Sequence, residues 1–116
     1  MLLPLPEIHS ADQARDMLFA PDMEQVGRGG VRGRTRHGLS TVDSDATRVE
    51  LLVIDAQVDF SFPEGALYVA GRSGSGAIDA NRRLAEFIYR NLHRLSQIRC
   101  TLDSHVPYQI FFPSFF

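Results

Sequence analysis

The stretch Val49-Glu50-Leu51-Leu52-Val53-Ile54-Asp55 decides how the chain is read. It is a near-continuous run of β-branched and aliphatic residues closed by a carboxylate, the pattern of a parallel strand covered on both faces. Downstream, Phe60 to Gly76 is rich in Gly, Pro and Ser and predicts a long loop, with one hairpin-like excursion at Ala66-Leu67-Tyr68-Val69. From Ile78 the period changes to a helical one. Leu84, Phe87, Ile88, Leu92 and Leu95 recur at spacings of three and four, with Arg82, Arg83, Glu86, Arg90 and Arg94 on the other side. A second apolar segment, Ile98 to Leu102, then runs into Asp103-Ser104-His105. Strand, loop, helix and strand make one βαβ unit, so the expected class is α/β with a parallel sheet.

Upstream of this unit the sequence has another character. Ser10-Ala11-Asp12-Gln13 fits a capping box, predicting a short helix from Ala11 to Ala20 that Pro21 ends. Gly27 to Gly38 holds five glycines in twelve residues, and Gly27 to Thr47 reads as a mobile loop or linker. The organisation expected is therefore an extension over residues 1–48, with a short helix and an Arg/Gly-rich loop, followed by the α/β portion over 49–116.

Composition narrows the classes of function. The chain has 116 residues, 44% apolar and 22% charged, with a net charge of -2, which suits one globular domain. All twelve basic residues are Arg, five of them between Gly27 and Arg48, and there is no Lys. That Arg/Gly stretch is read first as a solvated linker, with a module that contacts nucleic acid or another anionic partner as a third reading. A single cysteine, Cys100, cannot form an intramolecular disulfide and points to a reducing compartment, by default the cytoplasm. The start of the chain lacks the basic n-region of a signal peptide, and no apolar run reaches the ~18 residues needed to span a bilayer.

In a parallel α/β sheet, ligands bind beyond the carboxyl ends of the strands. Asp55 and the pair Asp103/His105 stand at two such ends, so they are expected on one edge. Alternate residues of an extended segment point the same way, which lets Asp103 and His105 approach one ion. A carboxylate oxygen and an imidazole nitrogen suit a divalent Zn, Fe or Mn ion, and two ligands leave the site incomplete.

Leu51-Leu52-Val53-Ile54-Asp55-Ala56-Gln57-Val58-Asp59-Phe60 resembles the opening signature of the isochorismatase-like cysteine hydrolases. Phe62-Pro63-Glu64-Gly65-Ala66-Leu67 is similar to that family's Pro-Gly-Gly-x-Leu loop, with Glu64 in place of one glycine. Leu102-Asp103-Ser104-His105 resembles the Asp-x-His metal motif of the nicotinamidase branch. The resemblance runs from Val49 to His105, roughly the first half of the family's three-layer, Rossmann-like fold. It implies a Cys, Lys and Asp triad that hydrolyses a small, nicotinamide-like amide with release of ammonia. On that likeness Asp55 is the catalytic carboxylate, Phe60 lines the substrate pocket, and Asp103 and His105 are two metal ligands.

The departures are as informative. There is no Lys, no histidine follows His105, and Cys100 precedes Asp103 within the expected second strand, where it reads as a small buried apolar residue. The chain is thus expected to be the N-terminal portion of such an enzyme, truncated before its nucleophile and inactive alone. The alternative is a non-catalytic remnant or interaction module that keeps the βαβ unit. Gly71-Arg72-Ser73-Gly74-Ser75-Gly76 fits no phosphate-binding fingerprint and reads as a flexible loop. Ile110-Phe111-Phe112-Pro113-Ser114-Phe115-Phe116 is a phenylalanine cluster that needs burial, either within a homo-oligomer or in aggregates.

Overall fold

A computed structural model describes residues 1–104 and 113. Its centre is the expected unit. Strand β1 (Glu50–Val53) pairs in parallel with β2 (Gln97–Cys100), in the register Leu51 opposite Ile98 and Val53 opposite Cys100. Between them come a short helix α2 (Val58–Ser61) and the crossover helix α3 (Gly76–Asn91), with a 3-10 turn at Leu92–Arg94. The α/β reading therefore holds at the level of class, as a two-stranded parallel sheet with a crossover helix. Helix α3 begins two residues before the expected start and stops before Leu92 and Leu95, which fall in the turn leading to β2.

The loop after β1 folds back on α2. The Leu67 N–H donates to the Asp59 carbonyl (3.1 Å) and the Val69 N–H to the Phe60 carbonyl (3.0 Å), so residues 66–69 form a turn and irregular chain and not a strand. Gly65 is required there: a Cβ on it would meet the Asp59 carbonyl oxygen at 2.4 Å. At the start of α3, the Ser75 hydroxyl donates to Asp79 (2.6 Å). That bond, and less strongly the guanidiniums of Arg82, Arg15 and Arg83, hold the Asp79 carboxyl below its usual range, with desolvation opposing.

The first fifteen residues lie against α3. The Leu3 N–H donates to the Arg90 carbonyl (2.9 Å), and His9 sets its ring edge-on to Tyr89, with centroids 5.8 Å apart. The helix expected over Ala11–Ala20 is shorter, a 3-10 stretch over Ala11–Arg15, and the Ser10 side chain makes no capping bond. Asp16 explains the early end: its carboxylate accepts from the Leu18 N–H (2.9 Å), an Asx turn that competes with helical pairing.

Residues 27–47 differ most from expectation. Instead of a mobile loop, the chain forms helix α1 (Met23–His37) and a 3-10 turn at Val42–Ser44. The ends of α1 explain this. Asp22, after Pro21, accepts from the Glu24 and Gln25 N–H groups, satisfying two of the orphan donors of the first turn. At the other end Gly38 adopts the left-handed conformation (φ 60°), its N–H donating to Thr35 (3.3 Å) while the Leu39 N–H reaches the Arg34 carbonyl (3.0 Å). This is a Schellman motif, and glycine takes that conformation without penalty.

The core is small. Among the described residues the buried apolar side chains are Val53 and Ile78, one from β1 and one from α3. Leu52 is 54% exposed and Ile54 67% exposed, so the expectation of a strand covered on both faces is not met within this chain. Cys100, expected to be buried, is exposed, as is every residue of β2. No helix among the described residues is long and apolar enough to cross a membrane.

Candidate functional site

The site is built where β1 and β2 release the chain at their carboxyl ends. Asp55 follows β1 with φ 54°, the left-handed conformation that a residue with a Cβ adopts at a cost. Thr101, the first residue after β2, holds it there. The Thr101 N–H donates to the Val53 carbonyl (2.9 Å), extending the ladder by one rung. The Thr101 hydroxyl then donates to the Asp55 carboxylate (2.9 Å) and accepts from the Asp55 N–H (3.2 Å). One hydroxyl thus fixes both the backbone and the side chain of Asp55.

Two residues further on, Gln57 spans the gap that a next rung would fill. Its side-chain Nε2 donates to the Asp103 carbonyl (2.9 Å), and its Oε1 accepts from the Asp103 N–H (2.5 Å). A primary amide presents a donor and an acceptor side by side, as a peptide unit does, so the Gln57 side chain pairs with Asp103 as a strand neighbour would. This ties the loop after β1 to the segment that begins the Asp-x-His motif.

Gln57→Ala is therefore expected to lower stability by about 1–3 kcal/mol, two hydrogen bonds at about 0.5–1.5 kcal/mol each. Amide hydrogen exchange at Asp103 checks this, and an unchanged rate would mean that the pair carries no net stabilisation.

The loop between β1 and α3 closes over an open crevice of about 450 Å³. Asp55 and Phe60 both line it, together with Leu52, Val53, Ala77 and Leu84. The structure thus brings together the two residues expected to act on substrate, an acid at the rim and an aromatic wall. Asp103 is half-buried beside them through Gln57, while His105 lies outside the described residues. Among the described residues no group of three or more metal-ligating side chains converges. The donor types of Asp103 and His105 suit a divalent ion, but their number does not complete a site. A larger depression of about 610 Å³, between the end of α1 and the turn before β2, is lined by Arg34, His37, Asp43, Asp45 and His93. It lies away from the carboxyl ends of the strands and shares no residue with the crevice.

Compared with models of protein families, with characterised proteins and with solved structures, the chain matches none. What can be said of the site therefore comes from its own residues. Sequence reasoning missed Thr101 and gave Gln57 no role. The signal for Thr101 was a hydroxyl side chain two residues before Asp103; Gln57 stood inside the quoted signature itself.

Proposed function

We propose that this chain contributes the acid-bearing part of an amide hydrolase site of the nicotinamidase and isochorismatase-like type. The observation that carries the proposal is Asp55 itself. Its carboxylate is held in a costly left-handed turn by Thr101, at the rim of a crevice that Phe60 also lines. Strained residues persist where the surroundings over-determine them, and they concentrate at sites of chemistry. In the proposed reaction a thiolate attacks the carbonyl carbon of a planar amide, the C–N bond breaks, and the departing nitrogen takes up a proton to leave as ammonia. Asp55 is the base that takes the thiol proton. A thiol with a pKa near ~8.5 is mostly protonated at neutral pH, so such a base raises the reactive fraction. Phe60 offers a flat apolar face to an aromatic amide.

The nucleophile and the lysine of such a triad are not among these 116 residues. Cys100 sits inside β2 opposite Val53 and does not line the crevice. They would have to come from further polypeptide, fused or associated. The test is ammonia release when such a segment is supplied to the chain.

Asp103 and His105 are proposed as two ligands of a divalent Zn, Fe or Mn ion, which when bound would orient the substrate or a water beside it. The expected result is weak divalent binding, lost in His105→Ala and measurable by titration calorimetry. A tight stoichiometric ion that survives that substitution would show that the ligands lie elsewhere.

A second reading, a non-catalytic interaction module built on the βαβ unit, is favoured by the exposed apolar residues of the sheet, with Leu102 74% exposed beyond β2. It predicts that no added segment restores turnover.

A further inference from the structure

Helix α1 is unused by the crevice and carries a pattern of its own. Arg28, Arg32 and Arg36 recur at every fourth residue, about 40° apart around the axis, and form a single stripe along one side. The helix holds four arginines against one acidic residue, Glu24, while the chain as a whole is at -2. Glu24 pairs with Arg28, one turn away. Among the described residues the side chains of Arg32 and Arg36 make no hydrogen bond or ion pair, and none of the residues of α1 is buried. Both ends are capped, at Asp22 and Gly38, so the stripe has a fixed register along the helix.

We propose that α1 is a contact helix for the phosphodiester backbone of nucleic acid. From Arg28 to Arg36 the stripe runs about 12 Å along the axis at about 1.5 Å per residue. That is the axial span of three or four successive phosphates at about 3.4 Å each. The basic residues are all arginine, whose planar guanidinium meets phosphate oxygens through two parallel N–H groups. Gly29 and Gly33 flank the stripe, and a Cβ on either would meet nothing within 4 Å, so the fold itself does not require them to be glycine. Their bareness leaves the helix backbone open to close approach. A lipid surface fits less well. The opposite side offers only Met23, Val26 and Val31, interrupted by Arg34, where an interfacial helix presents Trp, Phe or Leu.

The test is fluorescence anisotropy of the full chain with dye-labelled single-stranded and duplex oligonucleotides across a salt series. Three phosphate contacts predict that affinity falls about tenfold on single strands and about twentyfold on duplex between about 50 and about 150 mM salt. Arg28→Gln, Arg32→Gln and Arg36→Gln combined should abolish that dependence, whereas the corresponding lysine variant should retain most of it. The salt slope is read on the unaltered chain, so it stands whatever the glutamine variant does to folding. Failure to bind at low salt would overturn the proposal. So would an unchanged slope in a glutamine variant with native far-UV circular dichroism. Equal displacement of the oligonucleotide by polyglutamate would also overturn it, assigning the helix to acidic protein surfaces, as would binding to anionic phospholipid vesicles but not to oligonucleotides.

Discussion

The purified 116-residue chain is expected to release ammonia from nicotinamide no faster than buffer. Asp55 can accept a proton, and Asp103 with His105 can position a ligand, but none of these is a competent nucleophile toward an unactivated amide at neutral pH. The one thiol, Cys100, is exposed on β2 and outside the crevice, and there is no lysine. Residues of a nucleophilic unit act together, so a site without its nucleophile keeps only a residual acceleration. A coupled glutamate dehydrogenase assay on the chain, with Cys100→Ser as control, measures this. Turnover by the chain that persists in Cys100→Ser would mean that a different mechanism operates.

The second large effect is on stability. The chain exposes 9021 Å², where a compact monomer of 13.0 kDa exposes about 6,300 Å². Its radius of gyration is 17.5 Å against about 13 Å for a compact domain of this length. Apolar residues of the sheet and its edges, Leu52, Ile54 and Ile98, are open to water. Parallel strands are stable when both faces are covered. The isolated chain is accordingly expected to bind the dye ANS, to associate or aggregate, and to lack a sharp thermal transition as a monomer. Calorimetry with light scattering checks this. A monomer with a cooperative melt above the mesophilic range of ~45–65 °C would contradict it.

The βαβ unit was legible because its signals are local. Three aliphatic strand residues, Leu51 to Val53, and a sixteen-residue helix of period three to four need no knowledge of their partners. Asp55 was legible for a topological reason, since the end of a parallel strand is where α/β proteins place ligands. Helix α1 was not, because glycines at 27, 29, 30 and 33 each weigh about 1 kcal/mol against helix. The decisive residues, Asp22 and Gly38, lie at its edges, where caps and not interior propensity set the outcome. Thr101 and Gln57 escaped notice for another reason. Each acts across 46 residues of sequence, on Asp55 and on Asp103, and such pairings exist only once the two strands have found their register.

The central claim is that Asp55 is the base of an amide hydrolase site. The direct measurement is kcat/KM for ammonia release by the chain complemented, in trans or by fusion, with a segment carrying the cysteine and the lysine, compared between Asp55 and Asp55→Asn. Asparagine tolerates the left-handed turn and still accepts from the Thr101 hydroxyl, so the substitution removes the base without disturbing its setting. Complementation is expected to restore turnover, and Asp55→Asn to lower kcat/KM by about 10²–10⁴-fold at an unchanged melting temperature. A complemented protein that is equally active with asparagine at that position would contradict it.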